Sequence, residues 1–127
     1  MTSARPLISV VDDDESVRES LPDLLKELGY DAQPFCSAEE FLASSYVAES
    51  RCLIVDIAMP GMSGPELQLE IGRRRLPLPI VFITAQIDDA VRRRVLDRGA
   101  AACLYKPFTE DALLAAIARA LGHAASA

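Results

Sequence analysis

The run Cys52-Leu53-Ile54-Val55-Asp56 is a short apolar stretch that ends at a carboxylate. Comparable apolar runs occupy 7–11 (Leu-Ile-Ser-Val-Val) and 80–83 (Ile-Val-Phe-Ile). Continuous apolar runs of this length, rich in β-branched residues, are typical of strands that are buried on both faces of a parallel sheet. Residues 31–35 and 101–105 are weaker strand candidates, placed partly by their spacing. The chain is therefore expected to form a five-stranded sheet that is covered by helices.

Helical patterns separate the five apolar runs, and several of them carry a start signal. Ser37 and Glu40 match the spacing of a capping box, and the proline that follows Gly64 suits the first position of a helix. A repeated strand–helix alternation gives right-handed crossovers and a parallel sheet with helices on both faces. The predicted helices cover 15–28, a short segment after Ser37, a segment that opens at Gly64, 88–98 and 109–121.

The composition suits a single domain and excludes several classes of function. At 127 residues, one α/β domain is expected to fill 1–127, with a core over about 7–121 and a loose tail at 122–127. The net charge of −6 argues against a nucleic-acid surface, because phosphate binding requires a basic one. No apolar run approaches the roughly 20 residues that cross a bilayer. A cytoplasmic protein without membrane contact is expected.

The cysteines and the histidine do not suggest a metal site or a catalytic triad. Cys36, Cys52 and Cys103 show no metal-ligand spacing, and each follows or precedes apolar residues. We interpret them as reduced side chains that pack in the interior. His123 is the only histidine in the sequence. A histidine-based metal site or a triad is therefore not expected.

Polar side chains stand at the carboxyl ends of four predicted strands. Asp12 and Asp13 follow the first strand, Asp56 ends the third, Thr84 ends the fourth and Lys106 follows the fifth. The carboxyl ends of the central strands of an open parallel sheet converge on one crevice, where ligands bind. These five residues are therefore predicted to share a pocket, although they are far apart in sequence.

The composition of this pocket points to phosphoryl transfer. Three carboxylates in one small space repel one another, and Mg²⁺, which prefers oxygen ligands, would relieve that repulsion. Lys106 is unsuited to binding a cation but could pair with a phosphoryl oxygen, and Thr84 could donate a hydrogen bond to another. Aspartate is a known nucleophile toward phosphorus. The residues alone thus indicate phosphoryl transfer to an aspartate, with charge offset by the metal and the ammonium.

Four motifs in order resemble the receiver domain of two-component response regulators. They are Val11-Asp12-Asp13, the run from Val55 to Gly64 (Val-Asp-Ile-Ala-Met-Pro-Gly-Met-Ser-Gly), Ile83-Thr84-Ala85 and Tyr105-Lys106-Pro107-Phe108. The resemblance extends over roughly 7–121. The residues of the motifs are most similar to those of FixJ-type receivers. The resemblance is specific, because all four motifs occur at the spacings of the family.

The resemblance implies a role for each residue of the pocket. Asp56 would accept a phosphoryl group from a histidine kinase or phosphotransfer protein in a Mg²⁺-dependent reaction. Asp13 would bind Mg²⁺ directly together with Asp56 and the backbone carbonyl of Ala58, whereas Asp12 would act mainly through water. Such a domain is a signalling domain and not an enzyme, apart from self-phosphorylation by small donors and self-dephosphorylation.

The resemblance also implies a fold and an output surface. The fold would be flavodoxin-like, a doubly wound (βα)5 sheet with strand order 2-1-3-4-5, and the Lys106–Pro107 bond would be cis. Thr84 and Lys106 would hold phosphoryl oxygens, and phosphorylation would switch the surface formed by the fourth predicted helix, the fifth strand and the fifth predicted helix. That surface could support a homodimer. FixJ-type proteins usually continue into a helix-turn-helix DNA-binding domain. Direct nucleic-acid contact by the present domain is not expected, because its net charge is acidic.

Two arginine runs and one unusual strand bear on that output surface. Arg73–Arg75 and Arg92–Arg94 are interpreted as solvated helix faces, and the second run is also a candidate for a salt-bridged contact with a partner.

The fifth predicted strand departs from the family pattern at one position. The family usually has an aromatic residue three positions before the lysine, where this chain has Cys103. Tyr105 would point to the same side of the strand as Cys103. We therefore hypothesise that Tyr105 takes over the switch role.

Other functions fit the sequence less well. Val10-Val11-Asp12-Asp13-Asp14 superficially matches the nucleophile motif of haloacid-dehalogenase-type phosphatases, but Ser16 replaces the expected threonine or valine. A receiver-like scaffold that works without phosphate stays open, because the switch position is altered. A flavin-binding module would need a glycine- and hydroxyl-rich turn after the first strand, and no nucleotide-binding GxxxxGK[ST] loop is present.

Overall fold

A computed structural model describes residues 5–122, so that His123 and most of the expected tail lie outside the described residues. Five strands and six helices alternate along this part of the chain. The strands are β1 (Leu7–Val11), β2 (Asp31–Phe35), β3 (Cys52–Asp56), β4 (Ile80–Thr84) and β5 (Ala102–Tyr105). The helices are α1 (Glu15–Glu27), α2 (Ala38–Leu42), α3 (Tyr46–Glu49), α4 (Gly64–Arg73), α5 (Asp89–Asp97) and α6 (Glu110–Ala120).

The five strands form one parallel sheet in the order β2-β1-β3-β4-β5. The predicted flavodoxin-like fold and strand order are therefore confirmed. Every residue of the central strands β3 and β4 is buried, as expected for strands that are covered on both faces. The Lys106–Pro107 bond is cis, as the resemblance implied.

Alternate residues along each strand supply two separate cores. From β3, Leu53 and Val55 face the core beneath α2, α4 and α5, whereas Cys52 and Ile54 face the core beneath α1 and α6. This alternation follows from the two-residue period of a strand. Both faces are filled by fully buried side chains, including Phe41, Phe82, Leu67, Leu25, Leu113 and Ile117.

The helix starts are set mainly by side-chain caps. Asp14, Ser63 and Thr109 accept hydrogen bonds from backbone N–H groups in the first turns of α1, α4 and α6, which satisfies donors that would otherwise be unpaired. The reciprocal capping box lies at Ser63 and Glu66. At Ser37 the box is incomplete, because the Glu40 carboxylate accepts from the Cys36 N–H instead of the Ser37 N–H.

Two sequence expectations need correction. The short helix after Ser37 is present as α2, but a sixth helix that was not predicted, α3, follows it, so the fourth and fifth predicted helices are α5 and α6. Cys36 is exposed, whereas Cys52 and Cys103 are buried as predicted. Cys36 follows the last residue of β2 and precedes the cap of α2, so it lies in a surface connection. None of the helices within 5–122 is both long and apolar enough to cross a membrane.

Gly64 allows α4 to begin directly against the end of β3. A Cβ atom built at Gly64 would lie 2.5 Å from the backbone oxygen of Asp56 and 3.0 Å from the Cα of Ile57. Both are backbone atoms, which cannot rotate away. Close approach of two backbones is one of the situations that require glycine.

We predict that Gly64→Ala lowers the free energy of unfolding by about 2 kcal/mol, the typical cost of an overpacked site. The matched control is Gly72→Ala in the same helix, where a Cβ would have no neighbour within 4 Å. That control should raise the free energy of unfolding by up to about 1 kcal/mol, because alanine is the better helix former. Urea denaturation of both variants checks this pair, and equal effects would contradict the argument.

Candidate functional site

Four strand ends deliver the predicted polar residues to one edge of the sheet. Asp12 comes directly after β1, Asp56 and Thr84 are the last residues of β3 and β4, and Lys106 follows β5. The register aligns Asp56 with Ile83 of β4. Because the strands are parallel and end at the same level, their side chains meet at the carboxyl edge of the sheet.

Three carboxylates lie together at this edge. One oxygen from each of Asp12, Asp13 and Asp56 lies within 4.8 Å of the others. Asp12 is fully buried, Asp56 is buried and Asp13 is exposed. The cluster therefore has a closed inner side and an open outer side, through which a ligand can reach it.

Lys106 supplies the positive charge of the pocket. Its Nζ donates a hydrogen bond to Asp12 Oδ2 at 3.0 Å and lies 3.5 Å from Asp56 Oδ1. Burial disfavours the charged lysine, but its hydrogen bond and attraction to Asp12, together with the nearby Asp56, outweigh that effect. The pKa of Lys106 is therefore raised, and the ammonium is charged at neutral pH.

Asp56 is in an environment that disfavours its charge. Burial raises the pKa of its carboxyl to about 6, with a further contribution from the neighbouring Asp12, although Lys106 acts in the opposite direction. Because folding raises this pKa, the folded state loses stability as the pH rises from the ordinary range of an aspartate through about 6. At neutral pH the carboxylate is mostly ionised, and its unfavourable surroundings favour a cation beside it.

Asp12 is held in place from several directions. Its Oδ1 accepts a hydrogen bond from the Asp14 N–H at 2.9 Å, and its Oδ2 accepts the one from Lys106. Arg18 Nη1 donates to its backbone oxygen at 2.9 Å. A fully buried carboxylate requires such partners, since an unpaired buried charge is costly.

Thr84 lies at the predicted edge but bonds to its own loop. Its Oγ1 accepts from the Gln86 N–H at 3.1 Å and lies 3.2 Å from the Gln86 backbone oxygen, to which it can donate. Thr84 is buried. The structure thus brings Asp12, Asp13, Asp56 and Lys106 together and leaves the Thr84 hydroxyl engaged locally.

The loop between β3 and α4 is anchored at both ends. The Ile57 N–H donates to the Ile83 oxygen, and the Gly64 N–H donates to the Ile57 oxygen, both at 3.0 Å. Ala58 is exposed in this loop. Sequence reasoning missed Glu39 of α2, whose Oε2 accepts from the Met62 N–H at 2.9 Å. No local pattern could have found this contact, because the two residues are 23 positions apart.

The end of β5 has the arrangement that the two-residue strand period predicted. Cys103 is buried in the core beneath α4 and α5, and Tyr105 turns to the same side, where its hydroxyl donates to Asp89 Oδ1 at 2.9 Å. The Arg92 guanidinium lies 6.0 Å from the centre of the Tyr105 ring, and its Nε donates to the Cys103 oxygen at 3.4 Å. Tyr105 therefore connects the fifth strand to α5.

Comparison with known proteins gives the same family as the fold and the pocket. The response regulator receiver domain model matches residues 8–118. Nodulation protein W of Bradyrhizobium diazoefficiens is 37% identical over 118 residues, which are 93% of this chain and 52% of the relative. FixJ of Azorhizobium caulinodans is 36% identical over 93% of this chain and 56% of its own length. The crystal structure of FixJ-N superimposes with a TM-score of 0.84 at 34% identity, and the match covers 97% of both chains.

The chain belongs to the family of response-regulator receiver domains of two-component signalling, and its similarity is to the FixJ type. It spans about half the length of the curated relatives that it matches. Receiver domains are signalling domains that interact with histidine kinases or phosphotransfer partners, and they generally bind Mg²⁺ at an acidic pocket. The comparisons do not favour a phosphatase of the haloacid-dehalogenase type.

We predict that Lys106→Met lowers the free energy of unfolding by about 2 kcal/mol in metal-free buffer. The change removes the partner of the fully buried Asp12, and an uncompensated buried charge is destabilising. Lys26→Met serves as the control, because Lys26 is exposed in the last turn of α1. Urea unfolding with a chelator measures both variants, and an unchanged Lys106→Met protein would contradict the role of this ion pair.

Proposed function

We propose that Asp56 accepts a phosphoryl group from a histidine kinase or phosphotransfer protein in a Mg²⁺-dependent reaction. The observation that carries this proposal is the convergence of Asp12, Asp13, Asp56 and Lys106 at one edge of the sheet. Family membership supports it. The domain would occupy 1–127, with its core over about 7–121, and would work in the cytoplasm.

The proposed chemistry is nucleophilic attack by the Asp56 carboxylate on phosphorus. A new P–O bond forms to the carboxylate oxygen, the bond between phosphorus and the leaving group of the donor breaks, and its electron pair leaves with that group. Asp56 acts without a general base, because it is mostly ionised at neutral pH. Its position beside an open outer face gives the donor access.

The donor set of the pocket fits Mg²⁺. Carboxylate and carbonyl oxygens suit this ion, which commonly keeps several water ligands. Asp13, Asp56 and the backbone carbonyl of Ala58 would hold it directly, and Asp12, which already binds Lys106 and Asp14, would act mainly through water. When bound, the ion would neutralise charge on the carboxylates and on the transferring group.

Lys106 and Thr84 would hold the oxygens of the phosphoryl group on Asp56. Lys106 lies 3.5 Å from Asp56 Oδ1, so its ammonium can shift from the carboxylates to a phosphoryl oxygen with little movement. The Thr84 hydroxyl would exchange its contact with Gln86 for another phosphoryl oxygen. In these new positions, both donors would stabilise charge on the transferring group.

Asp56→Asn should abolish phosphorylation, because an amide is a poor nucleophile. The protein is incubated with Mg²⁺ and acetyl phosphate, a small acyl phosphate, and the intact mass is measured before and after treatment with hydroxylamine. Wild-type protein should gain one hydroxylamine-labile phosphoryl group, and the control Asp97→Asn, at an exposed aspartate of α5, should do the same. Asp13→Ala or a chelator should strongly reduce the gain. Full phosphorylation of Asp56→Asn at another residue would contradict the assignment.

An apolar cavity beside the pocket supports docking of a protein donor. It has a volume of about 430 Å³, and Lys106 forms part of its wall. Val17, Leu21 and Leu24 of α1 line one side, and Pro107 and Phe108 line the other. An open cavity of this size with a mostly apolar lining suits contact with an apolar group of a partner. A helix of the kinase or phosphotransfer protein that packs here would bring its phosphohistidine next to Asp56.

The output surface would consist of α5, β5 and α6, and we propose that Tyr105 reports the state of Asp56. Thr84 and Tyr105 are aligned neighbours on β4 and β5. An inward movement of Thr84 toward the phosphoryl group would therefore disturb the contact between Tyr105 and Asp89. This surface could also form a homodimer. If the environment of Tyr105 does not change on phosphorylation, the alternative of a receiver-like scaffold that works without phosphate gains support.

Ring NMR signals of the tyrosines test this switch. On phosphorylation the signals of Tyr105 should shift, whereas Tyr30 and Tyr46, which pack elsewhere in the two cores, should serve as internal controls and stay unchanged. Thr84→Ala should remove the Tyr105 shift without removing the phosphoryl group from Asp56. Unchanged Tyr105 signals alongside shifts in α5 would show that the switch operates without this residue.

A further inference from the structure

The loop of residues 57–63 carries Ala58, whose backbone carbonyl is a ligand under the proposed function. Hydrogen bonds of Ile57 and Gly64 close the loop at its base, and the Ser63 N–H donates to Glu66 Oε1 at 2.8 Å. All of these contacts come from the loop itself, the adjoining strands or α4. They hold the two ends of the loop but leave its outer part to other elements.

Glu39 of α2 binds the outer part of this loop. Its Oε2 accepts from the Met62 N–H at 2.9 Å. Gly61, immediately before Met62, has a φ of +73°, and a Cβ there would lie 2.8 Å from Glu39 Oε2. Gly61 thus both adopts the left-handed conformation that the turn needs and leaves space for the carboxylate. The Met59 side chain, which is buried, holds the same loop from beneath.

We propose that Glu39 is a positioning residue for the metal pocket, acting through the hydrogen bond to Met62. The bond would hold residues 57–63 in the conformation that presents the Ala58 carbonyl to Mg²⁺. This inference rests on the proposed Mg²⁺-dependent function. Mutation of a residue that orients metal ligands without touching the metal commonly lowers the metal affinity by about 10–100-fold.

Glu39→Gln separates the hydrogen bond from the charge. Glutamine keeps a side-chain oxygen that accepts from the Met62 N–H but carries no negative charge. If Glu39 acts as an acceptor, this variant should retain the wild-type Mg²⁺ affinity to within about threefold, whereas Glu39→Ala should lose it. The control Glu27→Ala removes an exposed carboxylate from the last turn of α1 and should change nothing at the pocket.

The experiment combines three measurements on the full chain and these variants. Amide hydrogen exchange of Met62 reports the hydrogen bond, a Mg²⁺ titration reports affinity, and the rate of phosphorylation by acetyl phosphate is measured at limiting and at saturating Mg²⁺. In Glu39→Ala, the Met62 amide should lose protection, the Mg²⁺ affinity should fall about tenfold, and saturating Mg²⁺ should restore the phosphorylation rate. Urea unfolding confirms that each variant is folded.

Several results would overturn the inference. A Glu39→Ala protein with an unprotected Met62 amide but wild-type Mg²⁺ affinity would show that the loop does not need this contact. A Glu39→Gln protein that behaves like Glu39→Ala would show that charge, and not the acceptor, matters. Wild-type protein that neither binds Mg²⁺ nor gains a phosphoryl group would instead remove the proposed function, and the inference with it.

Discussion

Repulsion among carboxylates at the carboxyl edge of the sheet is the constraint on which the site depends. Asp12 and Asp56 are both buried, and their oxygens lie close to one another and to Asp13. A single ammonium, that of Lys106, contacts two of the three carboxylates. The charge of the pocket is thus only partly compensated, and burial together with the remaining repulsion keeps the pKa of Asp56 high. A pocket in this condition favours a divalent cation beside its carboxylates.

The fold is what makes this arrangement possible. Two well-filled cores hold the parallel strands, and Asp12, Asp56 and Lys106 lie at the end of a strand or directly after one. Gly64 lets α4 start against the backbone of Asp56, and Glu39 reaches from α2 to the loop that follows β3. The same sheet aligns Thr84 with Tyr105, whose hydroxyl contacts Asp89 of α5.

Sequence patterns predicted the sheet and the pocket, because both depend on local signals. Two apolar runs end at Asp56 and Thr84, and a third ends directly before Asp12. Each run defines a strand and also places a polar group at the end of that strand. The contacts of those groups could not be predicted in this way. Two examples are the close pairing of Lys106 with Asp12 and the hydrogen bond between Glu39 and Met62. Both depend on loop conformations and on residues that are distant in sequence. Cys36 was misplaced because its apolar neighbours belong to the end of β2 and the start of α2, whereas Cys36 lies between them.

The most direct measurement is a carboxyl-carbon NMR titration of Asp56, first with a chelator and then with saturating Mg²⁺. The account predicts a pKa of about 6 without the metal and a clearly lower pKa with it, because the bound cation stabilises the ionised carboxylate. An Asp56 pKa in the ordinary range of an aspartate, unchanged by Mg²⁺, would contradict the claim that partly compensated repulsion builds a metal-dependent phosphoacceptor site.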